Sequence, residues 1–278
     1  MELAVRHQTT YRYATPANQV SLLLRLHPGQ LDCQQIRSWE VTVNGTPVTE
    51  FPLNAFGDGE GFYHRRGAFS EMEIVATGTV ATQERHGIVS GFLQEAPLPI
   101  FLRQTQLTQP EAAIRALARS LTESEPIPRL HALSARVREA ITYETGITTA
   151  ATSAAEALAL GRGVCQDHTH LFVSAARSLG IPARYVSGYL LADEAGHALR
   201  ETHAWAEAWV DGLGWIGFDA TNGLCVTELY VRLCSGLDAH DAAPVRGSVY
   251  GTTEIGIQAD VMISLAAPSG SQQVQQQQ

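Results

Sequence analysis

The first eighty residues carry the alternation of apolar and polar positions that is typical of β-strands. Residues 71–82 alternate almost without exception, and residues 2–13 are rich in β-branched and aromatic side chains. Asn44-Gly45 separates two short apolar runs, which predicts a hairpin with a type I′ turn. Several short strands with turns between them predict an N-terminal β-sandwich-like domain over residues 1–85.

A helical pattern replaces this alternation farther along the chain. Residues 86–110 contain three prolines and are predicted to cross between two domains. Apolar positions then recur at helical spacing, and Gly180 followed by Pro182 ends the last of these runs. The predicted helices cover residues 111–118, 129–142, 153–160 and 164–180.

Three strand-like runs follow the helices. They cover residues 183–191, 202–210 and 213–220, and Asp211-Gly212 is predicted to join the last two as a hairpin. Helices followed by antiparallel strands indicate an α+β core, which we assign to residues 111–266. Residues 267–278 are rich in glutamine and are expected to be disordered.

Two glycines lead directly into the best-packed predicted helix, in Gly161-Arg-Gly-Val-Cys165. A thiol at a helix N-terminus faces unpaired backbone N–H groups and the positive end of the helix dipole, and both favour a thiolate. Cys165 is therefore a candidate nucleophile. Taken alone, it could equally be a small apolar residue that fills the core.

Two polar residues interrupt the predicted hairpin. His203 begins a strand on which it shares a face with Trp205, and Asp219 ends an otherwise apolar strand. A turn centred on Asp211-Gly212 places the residue opposite His203 near position 220, so a shift of one residue or a bulge decides whether Asp219 faces it. Asp219 alone could simply initiate the turn that follows. Together with Cys165, the two residues form a nucleophile–base–orienter set in that chain order.

The sequence resembles the transglutaminase-like superfamily, in its bacterial form with an N-terminal β-domain. The resemblance lies in GRGVCQDHTHLFVSAARSLGIPARYVSGYL, in ETHAWAEAWVDGLGWIGFDATNG and in the opening HQTTYRYATPANQVSLLLRLHP, and it covers nearly the whole chain except the tail. It implies a papain-like α+β core in which a helix carrying Cys165 packs on an antiparallel sheet. It also implies that Cys165 is the nucleophile, His203 the general base and acid, and Asp219 the residue that orients His203.

Other positions near these residues are candidates for supporting roles. Tyr143 is a candidate donor to the oxyanion, beside the N–H of Cys165, or else a capping or packing residue. His168 is expected to lie near the thiol and to support it without reacting itself. Trp205 and Trp215 are candidates for the walls of a substrate cleft. The alternative interpretation is that both side chains pack in the core.

The resemblance implies acyl transfer through a thioester. Attack by Cys165 on a peptide or carboxamide carbonyl gives hydrolysis if water resolves the thioester and transamidation if an amine does, and members of the superfamily do both. We favour a hydrolase, because no residues indicate a pocket that excludes water. A scaffold of the same fold that has lost activity is a further alternative.

The remaining features set expectations for cofactors, partners and compartment. His168 and His170 are two positions apart on a helix and cannot bind one ion together, so we expect no metal. The sequence has neither a P-loop nor a dinucleotide fingerprint, so we expect no cofactor. A net charge of −9 argues against nucleic acid, and no apolar run is long enough to span a membrane. We expect a cytoplasmic protein, since four scattered cysteines and a polar N-terminus indicate neither a disulfide framework nor a signal peptide. The expected partner is a protein or peptide substrate, and the sequence leaves the oligomeric state open.

Overall fold

The computed structural model describes residues 1–192 and 201–266, which form an α+β structure with two antiparallel sheets. The helices are α1 (Ala112–Arg119), α2 (Pro126–Ala140), α3 (Ala154–Leu160) and α4 (Cys165–Ser178), and a 3-10 helix covers Leu98–Leu102. The strands are β1 (Glu2–Leu24), β2 (Gln34–Val43), β3 (Thr46–Pro47), β4 (Gly61–Thr82), β5 (Ile88–Val89), β6 (Thr142–Tyr143), β7 (Arg162–Gly163), β8 (Ala183–Leu190), β9 (His203–Val210), β10 (Gly214–Asp219), β11 (Leu224–Cys225), β12 (Tyr230–Gly236), β13 (Val245–Tyr250) and β14 (Ile255–Leu265).

The first sheet is built mainly from the N-terminal strands in the order β13-β1-β4-β2-β3, with β14 also paired to β1. The Asn44-Gly45 turn joins β2 to β3 with both residues at positive φ, as the hairpin prediction requires. Residues 2–24 form one long strand, whose pairing with β4 shifts between Arg12 and Gln19. The strands β13 and β14, which lie inside the predicted 111–266 core, pair with β1, so this sheet draws on both ends of the described chain. The predicted disordered tail, 267–278, lies outside the described residues.

The second sheet is the centre of the core, in the order β11-β10-β9-β8-β12, with β5 paired to β10. Alternate residues of β9 are alanines, and their small side chains let the helices approach: Ala206 and Ala208 pack in one cluster with Phe172 of α4. Ser153 caps α3, since its hydroxyl accepts from the backbone N–H of Glu156 and the Glu156 carboxylate accepts from the N–H of Ser153.

The two sheets share buried contacts. Tyr189 and Val231 of the second sheet belong to the same apolar cluster as the inner face of the first sheet. A network of buried charges also joins them, because Arg232 of β12 binds both Glu207 of β9 and Asp58, which precedes β4. Within the described ranges, no helix is long and apolar enough to cross a membrane.

Candidate active site

The nucleophile candidate lies where the chain enters α4. Gly161 ends α3 in the left-handed region at φ +64°, which a residue with a Cβ adopts at a cost. The next two residues form β7, which pairs in parallel with β6, and Cys165 then becomes the first residue of α4. The carboxylate of Asp167 accepts hydrogen bonds from the N–H of Val164 at 2.8 Å and from the Thr148 hydroxyl at 2.7 Å. These contacts fix the backbone on both sides of a partly exposed thiol.

The hairpin of β9 and β10 brings His203 to Asp219. Its turn contains three residues, 211–213, not the predicted two, and it pairs Trp209 with Trp215. Extending this register places Asp219 opposite Trp205, on the face that His203 shares, so the extra turn residue removes the need for a bulge. His203 Nε2 lies 2.6 Å from Asp219 Oδ2.

The thiol of Cys165 also lies within interaction range of the imidazole, because it is one of the groups that affect the pKa of His203. Burial disfavours the imidazolium, but the hydrogen bonds and charges of Asp219 and Cys165 outweigh it and raise the pKa of His203 from 6.5 to about 10. The structure therefore brings together the three residues that the sequence analysis selected, although their catalytic role stays a prediction.

Asp219 hydrogen-bonds both to the turn that follows it and to the imidazole of His203. Its Oδ1 accepts from the backbone N–H groups of Thr221 at 2.9 Å and Asn222 at 3.2 Å, as an Asx turn does. Its Oδ2 accepts from His203, from the Asn222 amide at 2.7 Å and from the Tyr230 hydroxyl at 2.7 Å. Burial alone would raise the pKa of Asp219, but the bonds from His203, Asn222 and Tyr230 lower it. Both interpretations of this residue from sequence, turn initiator and histidine partner, describe its geometry.

The supporting candidates are placed as follows. Tyr143 pairs with Gly163, two residues before Cys165, and its side chain is 54% exposed. Both ring nitrogens of His168 lie 2.9 Å from backbone carbonyls, those of Val164 and Ile141, so the ring joins α4 to the end of α2 and has no nitrogen left for an oxyanion.

The two candidate cleft tryptophans are almost completely buried. Trp205 and Trp215 are each 2% exposed. Trp205 stacks near His203 and meets Tyr230 edge to face, whereas Trp215 packs edge to face against Phe101. Trp205 also lines a small cavity together with Tyr230, so its role at a cleft stays a prediction.

The loop between β12 and β13 contributes residues that the sequence patterns do not connect to the site. Ala239 and Ala242 belong to the same apolar cluster as Cys165 and Tyr185. His170 of α4 holds the loop, since its Nε2 accepts from the N–H of Ala239 at 3.0 Å. Burial lowers the pKa of His170 to about 4, which keeps Nε2 an acceptor at neutral pH. No periodicity or motif could have revealed a contact that joins residues 69 positions apart.

The histidines of α4 therefore point to different partners. His168 contacts two carbonyls, whereas His170 contacts the loop after β12. In the part of the chain that the structure describes, no group of three or more His, Cys, Asp or Glu side chains is arranged to hold a metal ion.

A helix that starts at a cysteine and packs on an antiparallel sheet carrying histidine and aspartate is the architecture of papain-like thiol enzymes. Residues 115–220 match the family model of the transglutaminase-like superfamily, and residues 3–81 match the model of the bacterial transglutaminase-like N-terminal region. Residues 115–220 therefore form a core of the transglutaminase-like superfamily, and residues 3–81 form the N-terminal region of its bacterial members.

The chain is also similar to individual proteins. An uncharacterized protein of Mycobacterium leprae is 29% identical over 292 residues, which cover 93% of this chain and 98% of the relative. An uncharacterized protein of Mycobacterium tuberculosis is 36% identical over 134 residues, 45% of this chain and 43% of the relative. A crystal structure of a candidate cysteine protease from Cytophaga hutchinsonii has a TM-score of 0.75 at 23% identity and covers 98% of this chain and 92% of its own. At that identity the likeness establishes the shared fold.

Proposed function

We propose that the protein is a thiol-dependent acyl-transfer enzyme that hydrolyses peptide or carboxamide bonds through Cys165, His203 and Asp219. The observation that carries the proposal is the position of His203, whose Nε2 lies 2.6 Å from Asp219 Oδ2 and whose imidazole interacts with Cys165 at the start of α4. An imidazolium held in this way stabilises a thiolate beside it, and Asp219 fixes which ring nitrogen faces the sulfur.

The reaction proceeds in two halves. Cys165 Sγ attacks the carbonyl carbon and forms a C–S bond; His203 then gives its proton to the leaving nitrogen as the C–N bond breaks, which leaves a thioester. His203, now neutral, takes a proton from water as the water oxygen attacks the thioester. The C–S bond then breaks and the carboxylic acid leaves. The proton taken from water stays on His203, so the Cys165 thiolate and the His203 imidazolium are restored.

The negative oxygen of each tetrahedral intermediate needs hydrogen-bond donors. The N–H of Cys165 lies in the first turn of α4, where backbone N–H groups have no partner within the helix. We assign the second donor to the Tyr143 hydroxyl, because pairing of β6 with β7 holds its backbone opposite Gly163. Hydrolysis is favoured over transamidation because the thiol is partly exposed, so water reaches the thioester.

Product analysis on one unfolded polypeptide tests the proposal. Carboxymethylated casein is incubated with the protein and with Cys165→Ala, in the presence of a fluorescent primary amine. We expect new amino termini, or released ammonia without incorporated amine, with the wild type and neither with the variant. Amine incorporation in place of hydrolysis would establish the transamidase, and identical products from both proteins would favour the scaffold.

We also propose a cytoplasmic location and a protein or peptide substrate. Cys33, Cys165, Cys225 and Cys234 are all free thiols, which suits a reducing compartment.

A further inference from the structure

A cleft lies at the junction of the first sheet with the core, and Thr202, which precedes His203, is one of its lining residues. Its volume is about 450 Å³, within the range of sites that bind ligands. Its floor includes His7 and Thr9 of β1 and Val261 of β14, and its walls include Thr202 and Pro244. Clefts between structural units are common binding sites.

Two chain connections place this cleft next to the thiol. Thr202 immediately precedes His203, so their Cα atoms are about 3.8 Å apart. Pro244 lies two residues after Ala242, which packs in the cluster with Cys165. A chain whose carbonyl meets Cys165 therefore has this cleft within a few residues of the reacting bond.

Among the described residues, the lining is apolar or neutral apart from the carboxylate of Glu201. His7 is neutral at pH 7, since burial lowers its pKa to about 4. The described part of the lining is therefore suited to apolar side chains.

An exposed apolar stripe extends the cleft along β14. Residues 255, 257, 259 and 261 alternate along the strand and share one face. Val261 is buried at the cleft, whereas Ile257 is 65% exposed and Ile255 42% exposed. Two isoleucines presented to solvent beside a cleft indicate a surface that an apolar partner covers.

We infer that this cleft and the isoleucines of β14 bind an extended, apolar stretch of the polypeptide substrate beside the reacting carbonyl. The inference rests on the proposed function and assigns a role to the N-terminal sheet: it binds unfolded segments through their apolar side chains. These side chains fill the stripe.

A binding titration tests this without requiring turnover. Fluorescein-labelled, carboxymethylated casein is titrated with Cys165→Ala and followed by fluorescence anisotropy, alone and combined with Ile257→Glu. Burying an acidic side chain in the apolar contact should weaken binding at least about tenfold, equivalent to about 1.4 kcal/mol. Met262→Glu is the matched control, because Met262 is also an exposed apolar residue of β14 but lies on the opposite face. We expect it to bind like the parent.

A second variant guards against a folding artefact. Ala259→Trp fills the cleft from an exposed position and should also weaken binding, with an unchanged melting temperature. Equal binding by the Ile257→Glu and Met262→Glu proteins, or no binding by the parent, would overturn the inference. Failure of the proposed function shows differently: casein binds to the parent and not to Ile257→Glu, yet the wild type yields no product.

Discussion

The buried charges between the two sheets allow a quantitative prediction of stability. Arg232 Nη1 lies 2.6 Å from Asp58 Oδ1, and Arg232 Nε lies 3.0 Å from Glu207, which also binds Arg184 at 2.6 Å. The other Asp58 oxygen accepts from the N–H and the hydroxyl of Ser235, both at 2.7 Å. All four charged side chains are at most 5% exposed, so water cannot replace a missing partner.

Asp58→Ala removes one of two negative charges and leaves two guanidinium groups to share Glu207. Burial disfavours the Arg232 cation. The negative charges of Asp58 and, less strongly, of Glu207 outweigh that effect and raise the pKa of Arg232. Breaking a buried pair by deleting one partner costs about 3–5 kcal/mol, a large share of the roughly 5–15 kcal/mol that stabilises a typical domain. The variant should therefore unfold at a much lower urea concentration.

Urea denaturation followed by circular dichroism measures this change. Glu71→Ala is the control, because Glu71 pairs with Arg12 at the surface, where both side chains are about 60% exposed, and should cost about 0–1 kcal/mol. Asp58→Ala combined with Arg232→Met should recover part of the loss, since no unpaired charge is added. A loss below about 1 kcal/mol for Asp58→Ala would refute this account of how the sheets are joined.

Three further predictions concern the site and the fold. Asp219→Asn should lower turnover by about 10³-fold, because an amide cannot balance the imidazolium; steady-state rates on the wild-type substrate check this, and a rate within tenfold would contradict it. The pKa of His7 is about 4 in the folded protein and 6.5 in the unfolded chain, so its contribution to stability is fully present above pH 6.5 and is lost as the pH falls to 4. Between pH 7 and pH 4, the free energy of unfolding of His7→Gln should therefore fall by about 3 kcal/mol less than that of the wild type. Urea titrations measure both, and parallel losses would argue against a buried neutral ring. Ser153→Ala removes the cap of α3 and should cost about 1 kcal/mol in the same assay, with an unchanged midpoint as the contrary result.

The elements of the core could be predicted because their signals are local. The helix that begins at Cys165 ends where Gly180 and Pro182 stop it, and the alternation of β9 assigns its alanines to the helix side. Cys165, His203 and Asp219 were selected by the helix start, the predicted hairpin and the family resemblance together, and the fold places His203 beside Asp219.

What sequence could not predict depends on contacts between distant segments. Leu3 pairs with Leu265, a pairing that no turn signal announces, so the return of β14 to the first sheet was missed. The same holds for Tyr230, which donates to Asp219, and for Ala239, which His170 holds near Cys165. The length of the β9–β10 turn was wrong by one residue, because the Asp-Gly dipeptide also occurs in three-residue turns.

The central claim is that His203 activates Cys165, and alkylation of that thiol tests it most directly. The protein and His203→Ala are treated with iodoacetamide from about pH 5 to 9, and each cysteine is followed by peptide mass spectrometry. Cys33 and Cys225 serve as internal references, because burial raises the pKa of each to about 11. The account predicts fast modification of Cys165 near pH 6 that disappears in His203→Ala, while the reference thiols stay unmodified. Slow modification of Cys165 that rises only above about pH 8 in both proteins would contradict it.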